Sequence, residues 1–173
     1  PGIAVGDGDK ISLGGETLSF MNVPFLHWPD SIYTYIESSK TLVTCDSFGC
    51  HYSDPKVFND QIEGKFVDAY KYYFDMIMGP FKSHVQYALE QIKGYDVEVI
   101  CPGHGPVLRE NIDYYLDLYN KWSYEEAPAK RDKPLVVNSF VSAYGYTEEL
   151  AREINHGVSE VVDCDIKLYD MVH

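Results

Sequence analysis

Three residues of the metal-ligand type each follow a run that reads as a buried strand, and this repetition constrains the fold more than any other feature of the chain. LSFMNVPF precedes His27, KTLVTC precedes Asp46 and VEVIC precedes His104. Strand ends border the ligand crevice of a layered α/β sheet, so residues distant in sequence can meet there. Imidazole combined with carboxylate suits iron, zinc or manganese, whereas magnesium or calcium would want mostly oxygen ligands. A carboxylate also has two oxygens, which lets it bridge two metals about 3.5–4 Å apart, and Asp46 is the candidate for that bridge. Gly103 and Gly105 flank His104 without side chains, so the backbone can turn tightly and the imidazole can approach a crowded centre. Taken singly, each residue is ordinary: a histidine after a strand is more often a hydrogen-bonded structural group, and an aspartate there a turn or cap residue. Their order and shared setting carry the inference.

A second site lies in PLVVNSFVSAYGYTEELAREINHGV, residues 134–158. An apolar strand leads through a loop of small and hydroxyl residues into an amphipathic helix with Leu150, Ala151, Ile154 and Val158 on one face. This is the opening of a βαβ unit. Backbone N–H groups at the helix start, with the positive end of the helix dipole, favour an anion at the loop. Ser142 and Thr147 add hydroxyls, and Gly145 can take backbone angles closed to other residues. The loop has no lysine, and neither G-x-x-x-x-G-K-[ST] nor G-x-G-x-x-G occurs, so a monophosphate held by neutral donors fits best. An ordinary strand-to-helix turn with Thr147 as N-cap is the alternative.

Elsewhere, GDGDK and GGET mark turns around strands at KISLG and LSFMNV. A loop to about Gly64 leads to helices near 65–78 and 81–93, broken at Gly79–Pro80, then a strand at 96–101 and a helix at 109–123. The tyrosines of YKYYF and DYYLDLY recur at helical spacing and read as packing residues rather than an electron relay. His84, inside a helix, is set aside as a ligand; His51, close to Asp46, is either a group that donates a hydrogen bond to a metal ligand or a solvated loop residue. Trp28 either closes one side of the metal pocket or belongs to the core. A formal charge of −13 argues against nucleic-acid and anionic-membrane partners. No stretch is apolar enough to span a bilayer and no signal-peptide pattern opens the chain. Cys45, Cys50, Cys101 and Cys164 form no C-x-x-C pair and read as reduced, buried residues of a cytoplasmic protein.

The order LHWPDS, CDSFG with a following His51, CPGHGPVLR, and then VSAYGYTEELA after a linker closely resembles the flavodiiron proteins, or A-type flavoproteins, over essentially the whole chain. That resemblance implies an α/β fold: the C-terminal half of a metallo-β-lactamase-like αββα sandwich over 1–123, a linker over 124–133, and the start of a flavodoxin-like doubly wound domain over 134–173. It also implies that His27 binds one iron, that Asp46 bridges both, and that His104 binds the other. Ser142, Ala143, Tyr144, Gly145, Tyr146 and Thr147 would hold the FMN phosphate. The implied activity is reduction of dioxygen to water or of nitric oxide to nitrous oxide, with electrons passing from FMN to a di-iron centre. A rubredoxin-like or flavin-reductase donor and a head-to-tail homodimer complete the expectation.

One departure qualifies it. The family draws its other ligands from an earlier H-x-E-x-D-H motif, which these 173 residues lack, and the chain stops after the second expected flavodoxin-like strand. The chain is therefore expected to be an internal piece of a protein roughly twice as long, inactive by itself. A metallo-β-lactamase-type hydrolase using metal-activated water is the runner-up, disfavoured by the flavin loop. A non-catalytic fragment associating through exposed sheet edges is the third reading.

Overall fold

The computed structural model describes residues 2–64, 66–124 and 131–171. The chain forms two compact units, Pro1–Glu125 and Glu126–His173. Most of the expected linker, residues 125–130, lies outside the described residues.

The first unit is built on a five-stranded sheet of β1 (Lys10–Ser12), β2 (Thr17–Asn22), β3 (Ile32–Ile36), β4 (Thr41–Cys45) and β5 (Val99–Pro102), in that spatial order. β2 and β4 each run antiparallel to β3 and so parallel to each other, and β4 is parallel to β5. The C-terminal ends of β2, β4 and β5 therefore lie along one edge of the sheet. Those are the three ends from which the candidate ligands emerge.

The parallel β4–β5 pair needs a crossover, which helices supply. Helix α1 (Val67–Tyr73) continues through a π-helical turn at Phe74–Met78 and a 3-10 turn at Gly79–Phe81 into α2 (Lys82–Ile92). The expected break at Gly79–Pro80 is thus a change of pitch: Gly79 N–H bonds back to Phe74 O, and Pro80 occupies an early 3-10 position where its missing N–H is not required. After β5, helix α3 (Ile112–Ser123) begins three residues later than the periodicity predicts, with Asn111 in the left-handed region as its N-cap.

Cross-strand register places Met21 opposite Tyr33, Tyr35 opposite Leu42 and Leu42 opposite Ile100, so these side chains share one face. They join Tyr70, Tyr73, Phe74, Val85, Leu89, Tyr115 and Tyr119 from the helices in a single core. Leu42 and Ile100 are fully buried, each contributing about 1.5–3 kcal/mol. The tyrosines of YKYYF and DYYLDLY divide as the helical period requires: Tyr70, Tyr73, Tyr115 and Tyr119 pack inward while Tyr72 and Tyr114 are exposed.

Three corrections concern strands and cysteines. β3 is absent from the sequence reading, although IYTYI carries the period-two pattern of a half-buried strand. The strand expected through Phe25 ends at Asn22, because Pro24 cannot donate to the ladder and Phe25 takes φ 64°. All four cysteines are free thiols, but only Cys50 is buried; Cys45 is exposed and Cys101 and Cys164 are half-buried.

The second unit is a βαβ element: β6 (Leu135–Phe140), α4 (Tyr146–Val161) and β7 (Asp165–Asp170), the strands parallel from Leu135↔Asp165 to Phe140↔Asp170. The apolar face expected on α4 is only partly buried. Ala151 packs inward, whereas Leu150 and Ile154 are 61% and 50% exposed. Two strands are narrower than the apolar stripe of the helix above them. Asn138 Nδ2 donates to Ala151 O at 3.0 Å and Asn155 Oδ1 at 3.1 Å, fixing the helix over β6.

Candidate functional site

The loop after β2 closes on itself. Val23 N–H donates to Ser31 O at 3.0 Å, Phe25 N–H to Trp28 O at 2.8 Å, and Trp28 N–H to Ser31 Oγ at 3.2 Å. Leu26, 1% exposed, anchors this loop in the core, and the next residue, His27, is half-buried. Trp28 is 61% exposed with its ring 5.4 Å from that of His27, so it borders the site and is not a core residue.

Asp46 sits at the first position after β4, in a turn entered and left through left-handed backbone at Cys45 (φ 51°) and Phe48 (φ 62°). Each such non-glycine residue costs about 1 kcal/mol or more, and persists only where surrounding structure over-determines it. The restraints are visible. Thr44 Oγ1 donates to Ser47 O at 2.7 Å, and Phe48 N–H donates to the Tyr119 hydroxyl at 2.8 Å. The Phe48 ring stacks on Tyr119 at 4.4 Å, and its burial contributes about 1.5–3 kcal/mol, comparable to the backbone cost. Tyr119 is a positioning residue that sequence reasoning assigned only to packing; nothing in DYYLDLY marks the reach of its hydroxyl.

His104 follows β5 on a loop that interlocks with the first. Cys50 N–H donates to His104 O at 3.2 Å, and Gly103 N–H donates to Cys45 O. Three glycines line this joint, Gly49 and the two that flank His104. A Cβ on Gly49 would lie 3.0 Å from His104 O, and one on Gly103 3.1 Å from Cys45 O. Gly105, at φ +79°, is tighter: a Cβ there would lie 2.7 Å from both Cys50 O and Cys50 Sγ. Cys50 is the buried wall of this joint, its thiol pushed up to about 11 by burial.

These two loops and the His27 loop bring the three ligand candidates together. His27 Nε2 lies 3.4 Å from Asp46 Oδ2, and His104 Nε2 lies 3.1 Å from Asp46 Oδ1. The two imidazoles thus approach different oxygens of one carboxylate. Ions bonded at about 2.1 Å to nitrogen and oxygen would require N···O edges of about 3.0 Å at right angles or about 3.4 Å at the tetrahedral angle. Both distances fall in that range, so the residues present fit one ion on each side of Asp46. Each side supplies only one imidazole and one oxygen. Among the described residues, no group of three or more His, Cys, Asp and Glu side chains is placed so that it could hold a metal ion, so a working site needs further ligands.

Other neighbours shape the surroundings. His51 is exposed, its ring 5.6 Å from that of His104 and 4.9 Å edge-on to Tyr73, in a shallow cleft with Tyr52, Gly103 and Gly105. Burial, with the Asp46 carboxylate the next cause, pushes the Tyr73 phenol up to about 12. His84 packs instead on Phe25 and Phe81, at 4.9 and 6.4 Å.

In the second unit, Gly145 at φ +89° is the N-cap of α4, in the position that the alternative reading gave to Thr147. Gly145 N–H donates to Ser142 Oγ at 2.9 Å, which leaves the serine hydrogen available to a ligand. Tyr144 and Tyr146 are 89% and 78% exposed, so the loop 142–147 presents its backbone openly. Glu148 and Glu149 stand in the first turn and oppose a bound anion, although Arg152 holds Glu148 at 2.6 Å.

Residues 3–105 match the model described as ODP family beta lactamase. A type A flavoprotein of Rhodobacter capsulatus is 40% identical over 166 residues, which is 95% of this chain and 38% of that protein. The crystal structure of the flavodiiron protein from Giardia intestinalis superposes with TM-score 0.67 and 30% identity over 98% of this chain and 41% of its own. Rubredoxin oxygen:oxidoreductase from Desulfovibrio gigas gives TM-score 0.67 and 28% identity over 97% and 42%. The chain spans about two fifths of the length of these relatives. It belongs to the ODP beta-lactamase family, within the flavodiiron, or type A flavoprotein, group.

Proposed function

We propose that this chain is part of a flavodiiron oxidoreductase that reduces dioxygen to water, nitric oxide to nitrous oxide, or both. The observation that carries the proposal is the Asp46 carboxylate between two imidazoles, each Nε2 against a different oxygen. Bound there, two irons would supply the redox chemistry that passes electrons to the gas. His27 and Asp46 Oδ2 would hold one, and His104 and Asp46 Oδ1 the other, with the remaining ligands coming from residues outside this chain. The Phe48–Tyr119 bond and the glycine joint fix Asp46 and His104 before any metal arrives. His51, its ring 5.6 Å from that of His104, is the candidate to hydrogen-bond a metal ligand and orient it.

FMN would be held through its phosphate by residues 142–147, with Ser142 and the first N–H groups of α4 as donors. The domain division follows: a metallo-β-lactamase-like part over 1–123, a linker over 124–133 and a flavodoxin-like part from 134. Exposed Trp28 beside His27 gives the metal centre an aromatic border suited to a flavin ring from a second copy, as a head-to-tail dimer requires. A rubredoxin-like or flavin-reductase donor and a cytoplasmic location accompany this reading. Among the described residues, no helix is long and apolar enough to cross a membrane.

Metal analysis of the full-length protein after anaerobic preparation tests the assignment. Two irons per chain are expected, and Asp46→Ala should remove both, since each loses an oxygen ligand. Zinc at full occupancy without iron would favour the hydrolase reading instead. Calorimetric titration of the 173-residue chain should show weak iron binding or none, because half a ligand set gives up much of the coordination energy.

A further inference from the structure

Each of the three candidate ligands stands on a loop, and two of those loops are tied to other parts of the first unit by hydrogen bonds from backbone N–H groups. The Asp46 turn reaches α3 through Phe48 N–H and Tyr119 Oη, and the His104 loop accepts from Cys50 N–H. The His27 loop is held differently. Its backbone hydrogen bonds, Val23 to Ser31, Phe25 to Trp28, Leu26 to Val23 and Ser31 to Trp28, run within residues 23–31. They fix the shape of the loop and leave its direction to side chains.

Three rings meet there. Phe25, two residues before His27, has its ring 4.9 Å from that of His84 and 6.2 Å from that of Phe81, and the His84 and Phe81 rings lie 6.4 Å apart. All three separations fall within the range of roughly 4.5–7 Å over which aromatic rings attract one another. Phe81 closes the 3-10 turn of the crossover and His84 stands in the first turn of α2, so this clasp joins the His27 loop to the helices between β4 and β5.

Neither burial nor backbone preference accounts for a phenylalanine at position 25. Its φ of 64° is one that a bulky side chain disfavours and that glycine would adopt without strain, and the residue is still 40% exposed. A side chain kept against local preference draws attention to what its ring touches. Val23 and Leu26, buried in the core, set the depth of the loop, and Phe25 is its ring contact with the crossover.

We propose that Phe25, seated by Phe81 and His84, is a positioning residue for His27, setting the direction from which this imidazole meets Asp46 Oδ2 at 3.4 Å. The inference rests on the di-iron reading and deepens it. The two metal positions are held by separate devices, the ring clasp on the His27 side and the glycine joint on the His104 side.

Anaerobic titration of the full-length apoprotein with ferrous ion tests this assignment. The wild type should bind two equivalents, and Phe25→Ala should weaken one of them roughly 10-fold or more while sparing the other, the loss expected when a group that orients a metal ligand is removed. His84→Ala should repeat that loss, whereas Phe25→Tyr and His84→Phe keep a ring and should bind as the wild type does. In a His104→Ala background Phe25→Ala should weaken the iron that remains, and in a His27→Ala background it should leave the remaining iron unchanged. Unchanged affinities in Phe25→Ala, equal weakening of both equivalents, or the reverse pattern in the two backgrounds would overturn the proposal. A wild type that binds fewer than two irons would overturn the di-iron reading itself. If Phe25→Ala does not fold, His84→Ala decides by the same criteria.

Discussion

Gly105→Ala offers the sharpest test of how the ligand loops are joined. Two costs add at this position. At φ +79° an alanine is strained by about 1–2 kcal/mol. Its Cβ would also stand 2.7 Å from Cys50 O and Sγ, and relieving such overpacking in a tight interior costs about 1–3 kcal/mol. Together they predict a loss of roughly 2–5 kcal/mol. Gly8 provides the control, because it has φ +77° and nothing within 4 Å of its Cβ position, so Gly8→Ala should lose only the conformational part. Urea unfolding of the full-length protein compares the two, and with m about 2 kcal/mol/M the midpoints should fall by roughly 1–2.5 M and 0.5–1 M. Adding Cys50→Ala should not rescue Gly105→Ala, since the Cys50 carbonyl remains in place. Equal midpoint shifts for Gly105→Ala and Gly8→Ala would refute the steric argument.

Tyr119→Phe removes the acceptor of the buried Phe48 N–H and should cost about 1–3 kcal/mol in unfolding, with iron content falling if the Phe48 turn orients Asp46; unchanged stability would show that the turn holds without it. Gly145→Val forbids the left-handed N-cap and should release FMN from the full-length protein while leaving its iron content intact, checked by flavin absorbance against metal analysis. Alkaline unfolding should reflect the buried phenols. The folded pKa values of Tyr33, Tyr70, Tyr73 and Tyr119 are raised above 10, so the unfolded chain releases these protons first. The stability they confer is whole below about pH 10 and declines as pH rises beyond it. A stability profile that is flat through pH 10–12 would contradict their burial.

Legibility in the sequence followed the range of the forces involved. β4, β5 and the βαβ unit were legible because each is an apolar run closed by a local signal, and the candidate ligands stand directly after them. β3 was hidden by its position between the HWPDS loop and β4, although its alternation of Tyr33 and Tyr35 with Thr34 and Ile36 would have exposed it to a period-two count. The joint between ligand loops was half legible. Gly103 and Gly105 announced a tight backbone, but that Cys50 is what they approach, and that Tyr119 anchors Phe48 across 71 residues, depend on long-range packing with no local signature. The excess width of the α4 apolar face has the same origin: Leu150 and Ile154 obey the helical period, yet only Ala151 finds a buried place over β6 and β7. Periodicity states which face seeks cover, and tertiary context decides how much of it two strands can provide. On the first sheet, Val43 is likewise 38% exposed opposite Thr34, on the face away from Tyr33 and Leu42. The metal candidates occupy the one edge where local and long-range requirements agree. Parallel strand ends deliver His27, Asp46 and His104, and interlocked backbone holds Asp46 and His104, with Cys50 walled between their loops. That combination makes the Asp46 carboxylate accessible from two sides at once, as a bridging ligand must be.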